Sequence, residues 1–400
     1  MKTTVEQATQ NIFRHIQLKS TESVSLKNSY DRILRQSVCA ERSLPPFDRV
    51  MMDGIAIRFL AWKKGLRTFE IEGMQTPGKK AGALFLDHFC WEVMTGAPIP
   101  KGCDCVIPYE WLSINQKNRM ATVESGRKLQ QFQFIHQQGR DCQKGEILLS
   151  EGVRLQSPEI AIAASAGCSA LKVSQPLSVA IVSTGDELID VGKSINEIQV
   201  RRSNGYTIEA ALYSSGFLNT KRYHCCDQFV SIYDRVKKVL SSHDVLIVTG
   251  GVSAGKFDFI PDVLAKLKIQ KAFHKVLQRP GWPMFFGYTK RHQPVFGLPG
   301  NPVSALICCH YYVIPALRKM MGEKSFYITK NVLLKDDVPV QDSSLTYFLP
   351  VRLEGVSVRM ALTTNSGNVI PLAQTDGFIK LPSGREKFFK GEEVEFIEWK

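Results

Sequence analysis

No stretch of this 400-residue chain runs apolar long enough to cross a bilayer. The longest uncharged segment, residues 294–317, is broken by Pro299, Gly300, Asn301, Pro302 and Pro315, and a membrane helix needs about 20 largely apolar residues in succession. The opening MKTTVEQATQNIF also lacks the apolar run of a secretory signal and carries Glu6 instead. No two of the ten cysteines stand at CxxC spacing. Cys103-Asp104-Cys105 is a close pair without partner ligands nearby, so reduced, structural thiols are expected rather than zinc or disulfides. Internal repeats, low-complexity linkers and clustered Lys/Arg with interleaved aromatics are missing too, which argues against nucleic acid as a partner. A soluble cytoplasmic protein with no membrane partner is the expectation.

What is present is ordinary globular composition, with 44% hydrophobic, 22% charged and 10% aromatic residues. Four hundred residues exceed one compact core, so two to four domains are expected. The chain carries 51 basic and 38 acidic residues, a net charge of +13. Residues 175–330 hold 20 basic against 11 acidic, residues 1–174 hold 23 against 17, and residues 331–400 hold 8 against 10. A basic middle favours an anionic ligand there, such as a phosphorylated metabolite.

The periodicity predicts an α/β multidomain protein. Residues 4–18 read as a helix capped by Thr4, with Val5, Ala8, Ile12 and Ile16 on one face. From about 54 to 150, short apolar runs broken by Gly and Pro predict a β-rich module. Residues 157–168 look helical. From 177 to about 322, strands and helices alternate. SVAIVS (178–183), DVLIVT (244–249) and PVFGL (294–298) read as buried strands, and Phe229, Tyr233, Val236 and Leu240 recur at helical spacing. A helix over 205–215 would have Asn204 as cap and Gly216 just past its end. Another would begin at Pro302 behind Asn301, with Pro315 kinking or ending it. This order implies a mostly parallel sheet covered on both faces. The last 70 residues predict a small all-β domain. The resulting division is residues 1–45 with 146–176 as a helical N-terminal and linker part, 46–145 as a β-rich insert, 177–327 as the central α/β domain, and 328–400 as the all-β C-terminal domain.

Ligands of open α/β sheets bind beyond the carboxyl ends of the strands. Three Gly-containing loops fall there: STGDEL (183–188), TGGVSAGKFD (249–258) and GLPGNPVS (297–304). Gly250 and Gly251 would let backbone amides approach an anion, and the helix behind Asn301 offers a positive N-terminus. Asp186, Glu187 and Asp258 could supply hard oxygen ligands to Mg²⁺. FHKVLQRPGWP (273–283) adds Lys275 and Arg279, which could neutralise a phosphoryl group or be solvated surface charges. PPFDRVMMDGIAI (45–57) and TGAPIPKGCDCVIPYE (95–110) each read, alone, as ordinary turn chemistry.

In this order the motifs PPFDRVMMDG, TGAPIPKGCDCVIPYE, STGDEL, SNGYTIEAAL, GGVSAGKFD, FHKVLQRPGWP and LPGNPVSA resemble the MoeA/gephyrin E-domain family, over nearly the whole chain. The resemblance implies four subdomains, a homodimer whose cleft is completed by the partner chain, and molybdopterin molybdenumtransferase activity. Adenylylated molybdopterin and molybdate would be the substrates, and AMP would leave with Mg²⁺ assistance. A molybdopterin adenylyltransferase would be a possible partner. Asp53, Thr95, Glu187, Asp258, Lys275 and Ser366 fall on family functional positions, and Arg279 stands where a lysine is usual. The candidate set is then Glu187, Asp258, Lys275 and Asp53 for catalysis. Thr95, Gly250, Gly251, Ser253, Arg279, Asn301, Ser304 and Ser366 would bind substrate, and Asp186, Glu187 and Asp258 the metal.

The chain also departs from the family pattern. PGKP becomes Pro280-Gly281-Trp282-Pro283, a family arginine is replaced by Leu345 or Thr346, and a QGS-type loop reads TTNSGN (363–368). Arg352 or Lys256 could compensate for the lost cations. The alternative is a non-catalytic paralogue that keeps the dimeric scaffold as a binding protein.

Overall fold

The computed structural model describes residues 3–252, 259–361 and 367–399. The chain divides into two compact units, Ser37–Ser150 with Ser157–Ser169, and the remainder. The smaller unit is built on a six-stranded sheet of Gly54–Ile57, Thr68–Gln75, Phe89–Val93, Cys105–Pro108, Leu112–Asn115 and Met120–Val123. Ile55, Ile57, Phe69, Ile107 and Ala121 fill one of its faces. Among its thiols, Cys90, Cys103 and Cys105 are buried and free, and burial pushes those of Cys90 and Cys105 up to about 12.

The larger unit holds the alternating section. Thr220–Cys225, Val179–Thr184, Val245–Thr249 and Pro294–Leu298 run parallel, in that spatial order. Phe285–Tyr288 and Gln270–His274 extend the sheet in antiparallel fashion. Because strand side chains alternate, Ile181, Ile247 and Phe296 face the helices Ser203–Ser214 and Pro302–Cys308. Val182, Leu246 and Val248 face Phe229–Ser242 and Ile260–Lys266. The first helix is Val5–His15, shorter than its sequence suggests, because Ile16 turns extended. Its capping box is complete: the Gln7 N–H donates to Thr4 Oγ1 at 3.2 Å, and the Thr4 N–H to Gln7 Oε1 at 3.0 Å.

One sequence expectation is corrected and another is narrowed. Asn204 is not a cap, since the helix begins at Ser203. Its amide is instead drawn to the neighbouring strand ends, donating to Thr249 Oγ1 at 3.0 Å and to the Gly300 carbonyl at 2.7 Å. Nor does Pro315 end its helix, which passes through a π-helical turn, Cys309–Val313, and continues over Ile314–Met320. Proline lacks the N–H that would bond the carbonyl four residues back. The Tyr327 hydroxyl donates to that carbonyl, on Tyr311, at 3.3 Å.

The remaining sheet is mixed and closes on itself. Thr346–Glu354 pairs with both Ser357–Met360 and Gly377–Leu381, and the circuit is completed by Lys330–Leu334 and Glu393–Glu398. One further strand joins it from the α/β section: Gln278–Arg279 lies parallel to Thr346–Tyr347. Gln278 is 1% exposed and accepts a hydrogen bond from Tyr312 Oη at 2.5 Å on its Oε1. Tyr312→Phe should therefore cost about 1–3 kcal/mol by leaving that buried oxygen unpaired. A urea or thermal melt checks this, and an unchanged midpoint would contradict it.

Candidate functional site

The loops at the strand ends meet because glycines let them. A Cβ on Gly250 would stand 2.7 Å from the Thr184 carbonyl oxygen, and φ of +88° at Gly250 is itself a left-handed conformation. A Cβ on Gly185 would fall 2.7 Å from Glu187 Oε1, so the glycine makes room for that carboxylate to fold back over the strand end. Beyond these loops opens a cavity of about 1000 Å³. Glu187, Gly251, Asn301 and Ser304 line it from the sheet side, and Gln341, Tyr347 and Leu349 from the closed barrel. The turn Arg279–Pro283 forms the wall between them.

That turn is fixed from within. Gln278 Nε2 donates to the Pro280 carbonyl at 3.1 Å and reaches Cys308 Sγ at 3.4 Å. The Val276 N–H binds the Trp282 carbonyl at 2.9 Å. The exposed Arg279 guanidinium donates from Nη1 to Gln341 Oε1 at 2.8 Å. Trp282 is 38% exposed and lines the cavity.

A second cavity, of about 360 Å³, shares Glu187 and Gly300 with the first. It is lined by Thr184, Asn204, Thr249 and Gly250. Thr184 Oγ1 and Asn204 Oδ1 are both buried there without a hydrogen-bond partner. Two unsatisfied polar atoms in one cavity are costly unless a ligand or water meets them. The excursion after Glu187 is pinned by Arg202, which pairs with Asp190 at 2.5 Å, and by Tyr206, whose hydroxyl donates to Asp190 at 3.0 Å.

Of the candidates named from sequence, Glu187, Gly250, Gly251, Arg279, Asn301 and Ser304 thus border one or both cavities. Asp186 lines neither. It is exposed, and its Oδ1 accepts the Asp227 N–H at 3.0 Å. Lys275 lines neither as well. It sits half-buried at φ +74°, its N–H bound to the Met284 carbonyl at 2.8 Å. Ser253, Asp258 and Ser366 lie outside the described residues, as does Lys256. Among the described residues, no three His, Cys, Asp or Glu side chains are grouped to hold a metal.

Asp53 and Thr95 meet in the smaller unit. Asp53 Oδ1 accepts the Thr95 N–H at 2.6 Å and its hydroxyl at 2.8 Å. Sequence reasoning missed Thr184, Asn204 and Gln341. Asn204 carried a signal, since it opens the SNGYTIEAAL motif, but its local reading was as a helix cap. Gln341 carried none, because only the pairing of Gln278–Arg279 with Thr346–Tyr347 brings it near.

Comparison with known proteins matches three successive segments of the chain. Residues 3–167 match the MoeA N-terminal region (domain I and II), residues 180–319 a probable molybdopterin binding domain, and residues 333–399 the MoeA C-terminal region (domain IV). A Synechocystis protein named molybdopterin molybdenumtransferase is 36% identical over 94% of this chain and 95% of its own length. The chain belongs to the MoeA family. A Bacillus subtilis relative of the same name is 28% identical over 98% of this chain and 93% of its own. The molybdopterin biosynthesis MoeA protein of Pyrococcus horikoshii superposes with a TM-score of 0.81 at 26% identity, each chain covered in full. As a MoeA-family member the chain is a transferase of molybdenum cofactor biosynthesis, and the non-catalytic scaffold is not the favoured reading. No helix among the described residues is long and apolar enough to cross a membrane.

The two bonds from Thr95, backbone first, hold the Asp53 carboxyl below the usual carboxylate range. Their contribution is present above the ordinary aspartate value of about 4 and is lost as pH falls through the depressed one. Thr95→Val should raise the Asp53 pKa, read by NMR titration of its carboxyl. A pKa that stays put would remove the hydroxyl from the pair.

Proposed function

We propose that the chain inserts molybdate into adenylylated molybdopterin and releases AMP, with the large cavity as the place of transfer. The observation that carries this reading is the convergence of Glu187, Gly251, Arg279, Asn301 and Ser304 on that one cavity from four separate stretches of chain. The arrangement suits an anionic substrate. The helix after Asn301 directs its N-terminus there, and the Arg279 fork keeps donors beyond the one given to Gln341. The smaller cavity, with its unpaired Thr184 and Asn204 oxygens, suits the N–H-rich pterin end.

Mg²⁺ fits the donors present. Asp186 and Glu187 are exposed, hard oxygen donors at one strand end, and Asp186 has one oxygen left after the Asp227 amide takes the other. With Asp258 they would hold the ion, which when bound supplies positive charge to the phosphate that leaves. Glu187, Asp258, Lys275 and Asp53 remain the proposed catalytic groups. Arg279 would orient the oxyanion in the large cavity, and the carboxylates would take or hold protons on water. Trp282 can donate one N–H but no charge where the family has lysine. A cytoplasmic homodimer with the four-part domain division given above, supplied by an adenylyltransferase, completes the proposal.

Purified protein should release AMP from adenylylated molybdopterin only when molybdate is added. Bound pterin without molybdate-dependent release would favour the scaffold instead. Arg279→Ala should raise the KM for molybdate about 10–100-fold, the equivalent of a lost charge-assisted bond, and leave that for the pterin nearly unchanged. Trp282→Lys should lower the molybdate KM about tenfold. Steady-state kinetics with each substrate varied checks both, and equal KM values in all three proteins would take the oxyanion away from this turn.

A further inference from the structure

Part of the smaller cavity's lining comes from the excursion after Glu187, which contributes Leu188, Val200, Arg201 and Arg202. This segment has no hydrophobic anchor. None of residues 186–204 is buried, and Val191, Ile195, Ile198 and Val200 are 45–84% exposed. Its strand pairing is confined to Leu188–Ile189 beside Val200–Arg201. An element that buries so little apolar surface is weakly held by packing, so its polar contacts decide where it sits.

Those contacts converge on Asp190. Its Oδ1 accepts the Tyr206 hydroxyl at 3.0 Å and the Val191 N–H at 3.0 Å, and its Oδ2 takes Arg202 Nη2 at 2.5 Å. Arg201 Nη1 donates to the Asp190 and Lys193 carbonyls at 2.7 and 2.6 Å. Val191, Arg201 and Arg202 belong to the excursion or its end, and they tie the segment to itself. Tyr206 stands instead on the helix Ser203–Ser214, whose Ile208, Ala211 and Leu212 are packed in the core. The hydroxyl is therefore the donor that refers Asp190 to the rigid frame. It also does most to hold the Asp190 carboxyl below the usual carboxylate range, ahead of Arg202, which keeps the acceptor anionic at pH 7.

The ring that carries this hydroxyl is itself braced. The Arg222 guanidinium lies over it, 3.5 Å from the ring centroid, and Arg222 Nε pairs with Glu209 at 2.7 Å, three residues along the same helix. Arg222 comes from Thr220–Cys225, the strand beside Val179–Thr184. The run Glu209–Arg222–Tyr206–Asp190–Arg202 thus leads from the sheet to the cavity lining. Tyr206 lines neither cavity. We propose that Tyr206 is a positioning residue for the pterin end of the substrate, its hydroxyl fixing Asp190 and, through it, the Arg201–Arg202 side of the smaller cavity. The inference rests on the reading of that cavity given above.

Tyr206→Phe removes the hydroxyl and leaves the ring beneath Arg222. Amide exchange should quicken at Val200 and Arg202, whose N–H groups close the excursion on the Glu187 and Ile189 carbonyls at 3.0 Å each, and stay unchanged in Val245–Thr249. The KM for adenylylated molybdopterin, and its Kd by calorimetry, should rise about 3–10-fold, while kcat and the molybdate KM stay near the parent's. A general loosening of the fold would move all of them. Tyr206→Phe combined with Asp190→Asn should weaken pterin binding no further than Asp190→Asn alone, because both act through one contact. The proposal is overturned by unchanged exchange at Val200 and Arg202, by an unchanged pterin Kd, by a fall confined to kcat, or by additive losses in the double variant. A parent that binds the pterin without molybdate-dependent AMP release would count against the transfer reaction and leave Tyr206 in its role if the variant still weakens that binding.

Discussion

The side-chain amide of Gln278 is buried at the seam between the α/β sheet and the closed barrel, and each of its polar atoms has a task. Its Oε1 holds the Tyr312 hydroxyl, while its Nε2 holds the Pro280 carbonyl and Cys308 Sγ. Tyr312 and Cys308 ride on the helix that starts at the cavity, so the same rod that aims its N-terminus inward also anchors the Arg279–Trp282 turn. Gly281 is part of the device: a Cβ there would stand 2.4 Å from Nε2 and 2.8 Å from the sulfur. With the amide in place, Gln278–Arg279 can pair with Thr346–Tyr347 and carry Arg279 to Gln341. Without it, the barrel side and the sheet side of the cavity would lose their common reference.

Charge is distributed unevenly between the surface and this site. Residues 175–330 hold 20 basic and 11 acidic residues, but among the described residues lining the large cavity only Arg279 and Glu187 are charged. The surplus therefore acts at a distance, raising the local concentration of anions in a manner that salt screens within roughly 10 Å. On the proposed function, holding the anion would fall to directed donors: one guanidinium, a helix N-terminus and amides freed by glycine. Directed donors discriminate by geometry where bulk charge does not. Trp282, which offers one indole N–H and no charge, shifts the balance further the same way.

The sequence made legible what local rules control. Buried strands showed as apolar runs, and strand ends showed as glycines and acids, because backbone approach and sheet topology impose those residues there. Glu187, Gly251 and Asn301 were consequently placed at strand ends from sequence, and all three border the large cavity. Asn204 was misread because a helix cap and a lateral amide clamp use the same residue type next to the same helix start. Gln341 was invisible because its place depends on a two-residue strand pairing 60-odd positions from its partner, a purely tertiary fact. The closure of the last sheet into a ring was equally hidden, since alternation specifies faces and leaves the pairing of distant strands open.

Pro315 shows how a local rule fails without being wrong. The missing N–H and the ring both disfavour a helix interior, and the chain answers with the wider π-turn Cys309–Val313 just before it. The carbonyl that the proline leaves behind on Tyr311 is met by Tyr327, which arrives from beyond the helix end. Burial and that bond push the Tyr327 pKa well up, so its hydroxyl stays a donor throughout the physiological range. The helix thereby runs on through Ile314–Met320 and carries Leu317 and Met320 into the core. The cost of one proline is offset by one tyrosine.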